Sequence, residues 1–460
     1  MTRTIFSLAR KNADILLAVV LFVGLFAMSI ILYKERVCYM DVSFQLSEII
    51  RTNTLAIQVN RFGAAFVQLF ALLGRMSSLP LWVIGLLYSC GVVIYQWLIW
   101  VYIRLVNRDV GLSYAYLMYL TLLCTHLFFW IQSEYSQAIP FVFFYFSYTN
   151  RLSWGSSYLR SFWLLIPLTI ILVFFHPLVF PLFVWMSLLM FLFRSNQSEK
   201  RVVVANSLLA SLVFGIKEVY FKNWYDEQAK ERMKGLWAQL RQGIRTESFD
   251  RFLSDLQGIY LVFALLLILF VWQGIYQKKY MGVAIVVLTI LASLLFFTLT
   301  HPTTERFYME NMFLSLSFML SVGFLFFITL TSRKANLLLL FLITTCLFRY
   351  AYISRHYHKR LGYMRELITT YDNQKVILSE KHLDKQYIEY SWPLAYEIWM
   401  LSTIERGRST SITATHDIRQ YDKCHDTTHA FVGIHIHDYN TLPSAYFIFQ
   451  DTVSSYKMIE

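Results

Sequence analysis

The chain has 460 residues, of which 57% are hydrophobic and only 15% charged, with a mean hydropathy of +0.48. A soluble protein of this length would carry roughly 25% charged residues, so composition excludes an ordinary soluble domain and indicates a polytopic membrane protein. The formal charge of +12 is read as the Lys and Arg excess that anchors cytoplasmic loops; no nucleic-acid partner is implied.

The start, Met1 to Lys11, is basic, and the apolar stretch Asp14 to Tyr33 follows. That stretch is longer than the apolar core of a signal peptide, and Lys34, Glu35 and Arg36 stand where a small-residue cleavage site would be. It is expected to be an uncleaved first span. Residues 34 to 60 are polar and mixed in charge, and they contain Asp41 in the segment Cys38-Tyr-Met-Asp-Val-Ser-Phe-Gln-Leu-Ser-Glu48. From Arg61 to Arg75, Phe62, Phe66, Leu69 and Phe70 recur at helical spacing between charged ends. About 13 apolar residues are too few to cross a hydrocarbon core about 30 Å thick, so this segment predicts a helix lying in the interface.

Further spans are expected at Leu79 to Val101, Gly111 to Trp130 and Ala138 to Tyr148. The run Ser161 to Phe193 would be roughly 50 Å long as one helix, and His176-Pro177 and Pro181 interrupt it. It predicts two short crossings meeting at His176. Val202 to Phe221, Gly258 to Tyr276, Met281 to Leu299, Tyr308 to Leu330 and Asn336 to Ile353 bring the expected count to about eleven. With that count Arg104, Arg108, Arg194, Lys200, Lys278, Lys279, Arg333 and Lys334 fall on the side of the basic N-terminus. The positive-inside rule then puts that side in the cytoplasm.

The expected fold class is therefore an α-helical polytopic membrane protein of about 11 transmembrane helices with a small extracytoplasmic α/β domain at its C-terminus. The membrane module covers residues 1–353, with outer loops at 34–78 and 222–257. In the second loop Trp224, Met233, Leu236, Trp237 and Leu240 suit an apolar stripe on the membrane surface. Residues 354–460 change composition and read as a soluble domain. Helices are predicted at Lys359 to Tyr371 and Pro393 to Glu405, and strands at Lys375 to Leu378, Ala430 to His437 and Ala445 to Phe449.

No P-loop, dinucleotide-binding glycine pattern, zinc-protease motif or nucleophile elbow is present. The chemistry must instead lie in polar residues near the outer ends of the spans, namely Asp41, Glu134, His176, His301, Glu305 and Arg306, with Arg61 opening the interfacial helix on the same side. Ionisable groups at membrane depth are costly and tend to be kept for function. Plainer roles exist for each. Glu134 and Glu305 suit solvated loops, His176 and His301 suit caps of broken helices before Pro177 and Pro302, and Arg306 suits an interfacial anchor. In the tail, His416, Cys424, His425, His429, His435 and His437 match no standard zinc spacing, and a solvated sheet face is the default.

These features together resemble the GT-C class of integral-membrane glycosyltransferases, in particular its divergent bacterial members. The resemblance rests on Asp41 in the first outer loop, the interfacial helix from Arg61 to Arg75, and Ser133-Glu134 in the second outer loop. It also includes the His176-Pro177 break, the segment His301-Pro-Thr-Thr-Glu-Arg306 and the external C-terminal domain. Many members have two adjacent acids in the first loop, whereas here Val42 follows Asp41. The resemblance implies transfer of a sugar from a polyprenyl-phosphate donor to a glycan, lipid or protein acceptor, on the outer face of a bacterial inner (plasma) membrane. Asp41 and Glu134 would be the catalytic acids, with Asp41 the base, and Arg61 and Arg306 would bind the donor phosphate. His176, His301 and Glu305 would complete the cavity. Some relatives use a divalent metal, for which Glu134 with His176 or His301 would be the candidate ligands here. The alternatives are a lipid-linked-oligosaccharide transporter or polymerase, and a noncatalytic membrane scaffold.

Overall fold

The computed structural model describes residues 13–122, 125–152, 154–243, 245–303, 306–416, 427–432 and 435–459. The molecule is predominantly helical. Helix α1 (Ala13–Ile31) leads through the short α2 (Tyr33–Val37) into α3 (Met40–Thr52), and a 3-10 turn at Phe62–Ala64 opens α4 (Ala65–Met76). Then come α5 (Leu81–Val101), which continues as a π-helical turn to Val106, α6 (Val110–Leu122) and α7 (Glu134–Thr149). Next are α8 (Ser156–Val173), α9 (Val179–Phe193) and α10 (Gln197–Tyr220). The polar loop that follows forms α11 (Trp224–Lys234), α12 (Leu236–Gln242) and α13 (Glu247–Gln257). The chain re-enters the bundle with α14 (Leu261–Tyr276), α15 (Tyr280–Thr300), α16 (Arg306–Phe327) and α17 (Ser332–Thr370).

Six of these helices are long and apolar enough to cross a membrane, or seven if α13 and α14, which meet at 82°, count as one bent span. Segment 62–76, α6, the part of α8 from Tyr158, and α9 are shorter apolar helices. Helix α1 shows how such a helix packs. Ala18, Leu21, Phe22 and Leu25 are buried at helical spacing, while Leu16, Val19, Val23 and Ile30 point outward. A helix apolar on every face suits a lipid surround. Segment 62–76 buries Val67 and Ala71 and exposes Phe62, Leu69, Leu73 and Met76.

The expectation that a separate helix starts at Lys359 is corrected. Helix α17 runs unbroken for 39 residues, roughly 58 Å at 1.5 Å per residue, and so extends far beyond a core about 30 Å thick. No proline or glycine interrupts it until Gly362, beside which there is open space. Beyond it, strand β1 (Val376–Ser379) pairs in parallel with β2 (Ile412–Thr415) and β5 (Lys457–Ile459), and helix α18 (Leu394–Arg406) connects β1 to β2. The strand expected over 430–437 is instead a hairpin of β3 (His429–Val432) and β4 (His435–Asp438). The expected strand at 445–449 contributes only a single bridge, from Phe449 to Ser409.

Polar side chains at the helix ends gather in two separate rims. At one, Arg104 pairs with Asp14, Asn150 donates to Asp109 at 3.0 Å, and Arg194 donates to Asn150 at 2.6 Å. Glu134 opens α7, whose other end carries Asn150, and His176 precedes α9, whose other end carries Arg194.

Candidate functional site

The site begins with the four residues Cys38 to Asp41, which are held by the C-terminal third of the chain. Arg360 of α17 donates to the Cys38 carbonyl at 3.1 Å and to the Tyr387 carbonyl at 2.9 Å, and lies 4.9 Å over the Tyr39 ring. It also forms a buried ion pair with Glu397 of α18. The second carboxylate oxygen of Glu397 accepts the Met40 amide. Met40 has φ +42°, a region that non-glycine residues occupy only when their surroundings compel it. Tyr39 stacks on Trp130 at 5.9 Å.

This clamp fixes Asp41 in the first turn of α3, half-buried, where the Gln132 side-chain amide donates to it at 3.3 Å. Burial, and then the nearby Glu134 and Glu397 carboxylates, push its pKa up to about 6 against the opposing hydrogen bond from Gln132. A carboxylate tuned toward neutrality suits proton transfer better than one at its ordinary value.

Glu134 opens α7 behind its cap residue Ser133, which accepts the Ser136 amide. The Glu134 carboxylate lies 3.6 Å from Arg61, whose other terminal nitrogen lies 3.5 Å from Asp226. The same guanidinium sits 4.8 Å over Tyr225. Asn223 fixes this arrangement, because its side chain donates to Asp226 at 2.7 Å and to the Val59 carbonyl at 3.3 Å. Arg61 is buried, and its Nε makes no hydrogen bond among the described residues. Two long ion pairs and one unused buried donor leave this guanidinium capacity for a further anion.

Gly63 allows this geometry. A Cβ there would fall 2.0 Å from the Phe175 ring, so the chain after Arg61 packs directly against the break between α8 and α9. His176 stands in that break, half-buried, with its ring 5.1 Å from Tyr135, the residue after Glu134. Its Nδ1 accepts the Leu178 amide at 3.2 Å, which places the neutral ring's proton on Nε2. Burial, with Arg61 and Lys217 nearby, holds its pKa well below the usual histidine range. Lys217 is buried at the end of α10, donates to the Val173 carbonyl at 3.0 Å and lies over Phe174.

Asp41, Arg61, Glu134 and His176 therefore belong to one neighbourhood. His301 is set to one side of it, stacked between Phe297 and Tyr308 at 4.8 Å from each ring. Burial and Arg232 push its pKa down to about 4. Its link to Arg61 runs through Tyr308, whose hydroxyl lies 3.5 Å from that of Tyr225. Glu305 lies outside the described residues, as does the side chain of Arg306, the first residue of α16.

Among the described residues no three His, Cys, Asp or Glu side chains converge as metal ligands. Glu134 faces Arg61, and His176 Nδ1 is engaged with a backbone amide. In the tail, His437 meets the Tyr396 hydroxyl at 2.9 Å, whereas Cys424, His425 and the His435 side chain lie outside the described residues.

Three members of the site were not anticipated from the sequence. Lys217 left a signal, a charged pair with Glu218 inside the predicted span 202–221. Gln132 and Asp226 left none, because a glutamine and a loop acid are unremarkable in any sequence. Comparison with known protein families, curated proteins and solved structures finds no match for this chain.

Proposed function

We propose that this chain is a GT-C-type glycosyltransferase that moves a sugar from a polyprenyl-phosphate donor to an acceptor hydroxyl. The rim carrying Asp41 faces the extracytoplasmic side of a bacterial inner membrane, the N-terminus is cytoplasmic, and about eleven helices, short and long, cross the bilayer. The observation that carries the proposal is a half-buried, proton-accepting carboxylate, Asp41, in one neighbourhood with the buried Arg61, whose fork is only loosely engaged by Glu134 and Asp226.

In this reading Asp41 takes the proton of the acceptor hydroxyl as the oxygen attacks the anomeric carbon. The bond from that carbon to the phosphate oxygen breaks, the configuration inverts, and the electron pair leaves with the phosphate. Arg61 stabilises that developing charge, with Lys217 supporting the positive field. Glu134 and Asp226 hold the Arg61 fork in place, and Glu134 also raises the basicity of Asp41.

The test uses the purified full-length chain in detergent or nanodiscs with a set of radiolabelled prenyl-phosphate sugars. Transfer that falls by about a thousandfold or more in Asp41→Asn, within the range expected when an essential base is lost, supports the reading. Equal turnover in the two proteins removes Asp41 as base. Movement of lipid-linked oligosaccharide across vesicles without transfer would replace the reading with a transporter.

A further inference from the structure

A cavity adjoins the loop that presents Asp41, with Tyr39 and Met40 in its wall. It has a volume of about 320 Å³ and is walled by Tyr39 and Met40, by Tyr357 and Arg360 of α17, by Arg251 of α13 and by the loop 385–390. Nothing in the reaction proposed above uses it. Its size is within the usual range for small-molecule sites, about 300–1,000 Å³.

The floor is rigid. Tyr39, Tyr357 and Arg360 are buried, Tyr357 stacks on Phe129 at 3.6 Å, and Arg360 is pinned by Glu397. The rim is open, with Lys385 and Glu389 exposed and Tyr387 and Tyr390 half-buried. Four tyrosines thus surround one hollow. Tyr387 and Tyr390, partly exposed at the rim, offer an apolar ring face and a hydroxyl, a combination that suits the alternating C–H and O–H surface of a sugar ring, while the buried Tyr39 and Tyr357 form the floor.

Charge narrows the ligand further. Arg251, Arg360 and Lys385 contribute three permanent cations, against Glu389 in the wall and Glu397 behind Arg360. The formal balance is one positive charge, carried on side chains able to form charge-assisted hydrogen bonds to a carboxylate or phosphate. The volume is too small and the lining too polar for a prenyl chain. We infer that this cavity binds an anionic saccharide, gripped by tyrosine faces and by Lys385 and Arg251. On the transferase reading, and only on it, that saccharide is part of the acceptor, since Met40 is shared between the cavity wall and the Asp41 loop.

The experiment is calorimetric titration of the full-length protein in detergent with tetragalacturonic acid, with maltotetraose and inorganic phosphate as controls. The uronic tetrasaccharide is expected to bind, more weakly as NaCl rises, and at least tenfold more tightly than either control. Lys385→Ala and Tyr390→Ala, both in the rim loop, should each weaken it about tenfold, the size expected for one charged or ring contact, while the melting temperature stays unchanged. Equal affinity for phosphate would reduce the cavity to a simple anion site and overturn the inference, as would binding indifferent to both rim variants. Because binding is read without turnover, loss of transfer activity alone leaves this inference standing, and loss of binding alone leaves the transferase reading standing.

Discussion

Glu397 on α18 accepts the backbone amide of Met40, a residue 357 positions earlier in the chain. The same carboxylate holds Arg360, so a single buried acid joins the C-terminal third of the protein to the loop that presents Asp41. Both partners of the ion pair are almost wholly shielded from solvent. The field around Asp41 is accordingly set in part by a residue of the tail.

Glu397→Gln should therefore disturb stability and function together. Removing one partner of a buried ion pair costs about 3–5 kcal/mol, to be read as a lowered Tm in detergent. Arg360→Met combined with Glu397→Leu should recover much of that stability without recovering transfer, because the Met40 amide still lacks its acceptor. Full activity in the double variant would show that the clamp does not position Asp41.

The pH dependence follows from Asp41. Its folded pKa of about 6 lies above its ordinary value, so between the two the folded state holds more protons than the unfolded state. Its contribution to stability falls as pH rises through that window, and the penalty is complete above the folded value. Activity runs the other way, because the base must be ionised, and the rate should climb with pH to a plateau above about 6. Glu134→Gln removes the neighbouring negative charge and should move that acidic limb to lower pH. A pH–rate profile of the two proteins checks the direction.

Arg61 is the test of the phosphate site. Arg61→Ala should lower kcat/KM by about 10²–10³, the loss typical when one charge-stabilising donor is removed. Arg61→Lys should recover little, since a point charge cannot meet Glu134, Asp226 and a phosphate together. Recovery by lysine to near wild-type rates would mean that net charge alone matters there.

Gly63→Ala should destabilise by about 1–3 kcal/mol, the usual cost of overpacking, because the added methyl collides with Phe175. Adding Phe175→Leu should relieve part of that loss. A double-mutant cycle on thermal or denaturant unfolding measures the coupling.

Much of the architecture was legible in the chain itself. Apolar runs such as those of α1, α5 and α15 mark long helices because a backbone in lipid must satisfy its own hydrogen bonds. The short amphipathic run after Arg61 was likewise recognisable as a helix with one exposed apolar face. The tail was only partly readable. Strand β5 is three residues long, and the run expected as one continuous strand holds two short antiparallel strands, β3 and β4. Such short elements are decided by their partners, not by local pattern.

Sequence alone determined the helical class, the long apolar segments and a set of polar residues near their ends, because hydrophobic periodicity and charge placement are local properties. Only tertiary structure decided which of those residues meet. Arg61 finds Glu134 and Asp226 across 73 and 165 residues of chain, while His301 is drawn into an aromatic stack instead. It also joined the tail to the Asp41 loop through Glu397. Contacts between distant segments depend on how helices pack and where each break falls, and nothing in a local stretch of residues encodes that.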